Sequence, residues 1–82
     1  MYYRIRQERV EELKEGRKNT YIADLTNYSR QYLTYIFRGN KEVNETAILN
    51  LINPLIQQST KLTKMYEENG LEYMINYFFE KV

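Results

Sequence analysis

Apolar positions recur at helical spacing along most of the chain. Leu33, Ile36 and Phe37 fall at i, i+3 and i+4 and form one stripe, leaving Arg30, Gln31, Thr34, Tyr35 and Arg38 on the other side. Ile48, Leu51, Ile52, Leu55, Leu62 and Met65 carry the same period onward. Punctuation is sparse: only Gly16, Gly39, Gly70 and Pro54 interrupt, each close to the edge of a periodic run.

This pattern predicts a first helix over about Tyr3 to Lys14, with Tyr3, Val10 and Leu13 inward and Gly16 ending it. A second helix starts at Asn19 or Thr20, either of which can cap the first amides, and runs to about Leu25, burying Ile22 and Ala23. Thr26-Asn27-Tyr28 forms a tight turn, because asparagine enters the left-handed region more readily than most residues. Ser29 caps a third helix that stops at Gly39, and Asn44 caps a fourth. Pro54 removes a backbone donor, which predicts a kink or break beside Asn53. Asn69-Gly70 marks a further boundary, and Leu71 to Lys81 closes the chain as a last helix. The expected fold is all-α: a compact bundle of about five short helices containing a helix-turn-helix, with an additional C-terminal helix. Residues 1–56 would form its core and residues 57–82 a helical extension, within one domain.

Composition narrows the chemistry. Eighty-two residues leave little room for both a core and a deep cleft. With no cysteine and no histidine, the chain lacks thiolate ligands, disulfides, the commonest general base and the commonest metal ligand. No catalytic constellation, metal site, cofactor site or small-molecule site is expected. Glu67 and Glu68, although adjacent, diverge by about 100° on a helix and do not converge on a substrate. No run approaches the ~20 apolar residues of a membrane span, and the charged start Met1-Tyr2-Tyr3-Arg4-Ile5-Arg6 does not suit a secretory signal. An intracellular, cytoplasmic protein is expected by default.

The net charge of +1 conceals an asymmetry. Residues 1–44 carry nine Lys/Arg against six Asp/Glu, and residues 45–82 three against five. Between Asp24 and Glu42 there is no acidic residue, while Arg30, Arg38 and Lys41 lie inside that window. A local basic surface is what a phosphate backbone requires. On the exposed side of the third helix, Arg can donate twice to guanine O6 and N7, and Gln can pair with adenine N6 and N7. Arg30 and Gln31 sit in its first turn, the part of a recognition helix that reaches base edges. Tyr32 reads as a packing or rim residue. Tyr2 and Tyr3 read as N-terminal packing rather than as a DNA-touching arm.

Ile22-Ala23, Ser29, Leu33, Ile36 and Gly39 have the spacing of the Cro/CI-type (XRE, lambda repressor-like) helix-turn-helix family, and the chain resembles that family over about residues 18–56. Val43-Asn44 stands where the family often has Pro-Ser, and Ile48, Leu51, Ile52 and Leu55 match its next apolar helix. The resemblance implies double-stranded DNA as partner, with Arg30, Gln31, Thr34 and Tyr35 toward the bases. Asn19, Thr20, Ser29, Arg38, Asn40 and Lys41 would then lie along the phosphates. Three departures stand out: Asn19 replaces the family's usual Gln, Asn27 its frequent turn glycine, and Gly16-Arg17-Lys18 lacks the apolar residue that usually follows the glycine.

The last predicted helix is apolar around much of its circumference. Leu71, Met74, Ile75 and Phe78 are therefore expected either to contact a second copy or to fold back as an intramolecular cap. The leading expectation is a sequence-specific transcriptional regulator of phage or mobile-element type, a homodimer on a palindromic operator. The alternative is the same fold used as a protein-binding module, a small inhibitor or antitoxin-like partner. Near-neutral charge and nine tyrosines, a residue enriched at protein interfaces, keep it open.

Overall fold

The computed structural model describes residues 1–82. Six helices carry the fold: α1 (Val10–Lys14), α2 (Asn19–Thr26), α3 (Arg30–Phe37), α4 (Glu45–Gln57), α5 (Thr60–Asn69) and α6 (Leu71–Phe78). Two short strands, β1 (Tyr3–Ile5) and β2 (Phe79–Lys81), pair antiparallel in the register Tyr3↔Lys81, Arg4↔Glu80, Ile5↔Phe79. Tyr3 also exchanges both backbone hydrogen bonds with Val43, at 2.8 and 2.9 Å, so β1 is held on both edges.

Local signals fix most boundaries. Asn27 sits in the left-handed region with φ 65° and donates its N–H to Ala23, ending α2. The Ser29 hydroxyl accepts from the Tyr32 amide at 3.0 Å and the Asn44 side chain from Ala47 at 2.9 Å, so both are N-caps. After α3, Gly39 at φ 77° allows its N–H to reach Ile36 and the Asn40 N–H to reach Tyr35, the paired bonds of a Schellman stop. A Cβ on Gly39 would lie 3.1 Å from Gln7 Nε2, which itself donates to the Phe37 carbonyl at 3.1 Å. The N-terminal segment thereby closes the end of α3.

Four boundaries differ from the sequence expectation. Residues 3–5 are strand and 7–9 a single 3-10 turn, so the first helix covers only Val10–Lys14. Three-residue strands carry too little period to be read locally; Tyr3 and Ile5 become strand by pairing with residues at the other end of the chain. The last helix likewise stops at Phe78, because Phe79–Lys81 is the partner strand. Neither Asn19 nor Thr20 caps α2: the N-cap is Lys18, with no side-chain acceptor. Pro54 lies within α4, and the break comes at Gln58–Ser59 instead. There the buried Ser59 hydroxyl caps α5 through Leu62, and Thr63 Oγ1 donates to the Ile56 carbonyl at 2.7 Å.

A single cluster of 18 buried apolar side chains draws on all six helices, both strands and Val43. Most of the apolar row of α6 belongs to it. Met74 and Phe78 are fully buried within the chain and Ile75 nearly so, while Leu71 packs half-buried at the margin. Met74, Ile75 and Phe78 have almost no apolar surface left for a partner, so for these three the burial corrects the expected dimer contact in favour of the intramolecular cap.

A polar latch also joins the two ends of the chain. The Tyr77 hydroxyl donates to Glu12 Oε2 at 2.6 Å and accepts from Arg9 Nη1 at 2.8 Å, with the guanidinium 4.1 Å from the Tyr77 ring centroid. The bond to Glu12 chiefly, then burial and the Glu12 charge, hold the Tyr77 phenol above its ordinary value, with Arg9 opposing. The folded chain thus keeps this proton more tightly than the unfolded one. The latch's contribution is complete below about pH 10 and is lost as pH rises through the folded value. Tyr77→Phe is expected to cost about 1 kcal/mol at neutral pH, below the range for buried bonds to charged groups because the latch is half-exposed. The gap in thermal midpoint between the two proteins should close above pH 10. A gap that stays constant from pH 7 to 11 counts against the latch.

Candidate nucleic-acid interface

The three residues between α2 and α3 set how the two helices meet. Leu33, Ile36 and Phe37 of α3 are buried with Ile22 of α2, so the remaining sides of α3 are fixed relative to the core. Arg30, Gln31, Tyr35 and Arg38 are exposed, as the periodicity predicts. Thr34 is not fully free: it is half-buried, its Oγ1 donating to the Arg30 carbonyl at 3.0 Å and accepting from Asn19 Nδ2 at 3.2 Å. Asn19 is therefore a brace between the start of α2 and the middle of α3, and its Oδ1 is buried without a protein partner.

On one side of α3 lies an open cleft of about 520 Å³, lined by Lys14, Lys18, Asn19, Thr20, Arg30, Gln31 and Thr34. It holds three cations, no carboxylate and no apolar side chain. The Lys14 ammonium is 5.0 Å from the centroid of the Phe37 ring, which helps to orient it. The start of α2 opens here without a side-chain cap and without an acidic residue in its first turn, so the positive end of its dipole adds to the three cations.

On the other side is a cleft of about 330 Å³ lined by Ser29, Gln31, Tyr32, Tyr35 and Lys41, again without a carboxylate. Tyr32 packs against Tyr28 with ring centroids 4.9 Å apart, and burial, then the Tyr28 neighbour, raises its pKa, keeping the hydroxyl neutral. Gln31 lines both clefts. Beyond the end of α3, Arg38 and Asn40 are exposed but line neither.

Compared with protein-family models, curated proteins and solved structures, this chain has no match. The functional reading accordingly rests on the residues and their geometry. Of the ten residues expected at DNA, Asn19, Thr20, Ser29, Arg30, Gln31, Thr34, Tyr35 and Lys41 line one or other cleft. Sequence reasoning missed Lys14 and Lys18. Both precede the window between Asp24 and Glu42, and they reach the cleft because Glu15 and Gly16, at φ 53° and 76°, turn the chain back between α1 and α2. No group of three or more acidic side chains is placed to hold a metal ion, and no helix is long and apolar enough to cross a membrane.

Proposed function

We propose that α2, the turn and α3 act as a helix-turn-helix that reads double-stranded DNA, with α3 in the major groove, in a transcriptional regulator of the Cro/CI type. One observation carries the reading: α3 stands between two clefts, both cation-bearing and both free of carboxylates. A helix lying in the major groove has a phosphate backbone on each side of it. Lys14, Lys18 and the uncapped start of α2 serve one backbone, and Lys41 the other. Arg30 and Gln31 project from the first turn between them and supply the base-reading donors and acceptors. A single helix reads few base pairs, so two copies on half-sites about 34 Å apart accompany this reading. Their contact uses surface other than the buried row of α6.

Selection from random duplexes tests the reading. The expected result is one enriched motif, which Arg30→Ala relaxes at a single position. Lys41→Ala should weaken every sequence alike and reduce the salt-dependence slope by about 0.9, as loss of one phosphate contact does. Equally poor binding to all sequences overturns the DNA reading. It would leave the protein-binding module, to which the exposed tyrosines Tyr21, Tyr35, Tyr66 and Tyr73 give surface.

A further inference from the structure

Gln31 and Tyr35 are one turn apart on the exposed side of α3, and the Gln31 Nε2 donates to the Tyr35 hydroxyl at 3.0 Å. A free glutamine on a surface samples many rotamers, and its amide can present oxygen or nitrogen to a given point. Held by the Tyr35 hydroxyl, the amide lies along the helix with Nε2 toward Tyr35, and Oε1 and the second N–H are unengaged. One acceptor and one donor, side by side on a fixed amide, match adenine in the major groove, whose N6 donates and N7 accepts. Guanine offers two acceptors there and cannot satisfy Oε1. Resting on the DNA reading above, we infer that Tyr35 is a positioning residue for Gln31, and that the half-site has a fixed adenine beneath Gln31 whose selectivity depends on the Tyr35 hydroxyl.

This assigns Tyr35 a role different from direct base contact. Its hydroxyl is engaged as an acceptor by Gln31, and its ring forms one wall of the cleft shared with Tyr32 and Lys41. Ordering a glutamine side chain costs rotamer entropy. A partner on the same helix that meets this cost before DNA arrives raises discrimination without adding a contact to the duplex.

The test is site selection and competition binding with the full chain, its Gln31→Ala and Tyr35→Phe variants and the double variant, with thermal midpoints measured in parallel. The wild type should enrich a motif containing one invariant adenine. Gln31→Ala should abolish that preference, and Tyr35→Phe should reduce it about tenfold, within the range a bidentate base contact supplies. Tyr35→Phe should change neither the other positions, nor the salt slope, nor the midpoint, and in the Gln31→Ala background it should have no further effect. A motif without an adenine that responds to Gln31→Ala overturns the inference and leaves the DNA reading standing. So does adenine selectivity that survives Tyr35→Phe, or a Tyr35→Phe effect confined to a neighbouring position, which marks a direct base contact. Absence of any wild-type motif overturns both.

Discussion

Phe79→Ala is expected to lower the thermal midpoint by about 12 °C or more, because truncating a buried Phe costs about 3–5 kcal/mol and each kcal/mol shifts a domain of this size by about 4–8 °C. Phe79 is fully buried although it is the first residue of a strand at the end of the chain. It shares one core with Leu33, Ile36 and Phe37, the residues that seat α3. A domain of this length has only about 4–12 kcal/mol in total, so the substitution removes a large part of its stability. The helices of residues 1–56 should unfold together with α6 in one transition, followed by circular dichroism and by amide exchange in α3. A shift below about 4 °C, or protection of α3 that outlasts α6, contradicts a common core. The exposed Arg4–Glu42 pair at 3.0 Å also ties the N-terminal strand to the loop after α3, but such surface pairs contribute under about 1 kcal/mol, so the effect belongs to the buried ring.

Lys18→Glu is expected to move stability and DNA affinity in opposite directions. Lys18 is the exposed N-cap of α2 and lines the cationic cleft. A carboxylate there meets the positive end of the helix, a favourable interaction of about 0.3–1 kcal/mol. The thermal midpoint should therefore hold or rise slightly. The same change turns an attraction for phosphate into a repulsion, and binding to every duplex should fall about tenfold or more, with a shallower salt dependence. Titration by fluorescence anisotropy at two salt concentrations, beside thermal melts, checks both halves. Unchanged DNA affinity in a fully folded variant removes the cleft from the interface.

What the chain discloses before folding depends on how far apart the cooperating residues lie. Asn27, Ser29 and Asn44 are legible because a left-handed turn or a helix cap is decided within three or four residues. The apolar sides of α3 and α4 are legible for the same reason, since their period repeats inside one helix. β1 and β2 are not, because neither is long enough to alternate clearly and each exists only through the other. The helix-breaking tendency of Pro54 is overridden by packing: Leu51, Ile52, Leu55 and Ile56 bury on both sides of it, and the Ser59 cap offers a better place to stop. At the candidate interface, the outward direction of Arg30 and Gln31 could be read from periodicity. The convergence of Lys14 and Lys18 could not, because it depends on two successive left-handed residues, one of them Glu15.

The pairing of β1 with β2 also carries a kinetic consequence. Ile5 meets Phe79 across almost the whole length of the chain, in a protein whose remaining order is mostly helical and local. Closing so long a loop costs chain entropy that is repaid only when the flanking contacts form, so the strand pair belongs late on the folding path. During synthesis from the N-terminus, β1 can meet Val43 along one edge, but its other edge stays open until β2 has been made. Gln7, which closes the end of α3, hangs from that waiting strand. The side chain that covers the end of α3 is thus tethered to a strand whose second edge is closed only by residues 79–81.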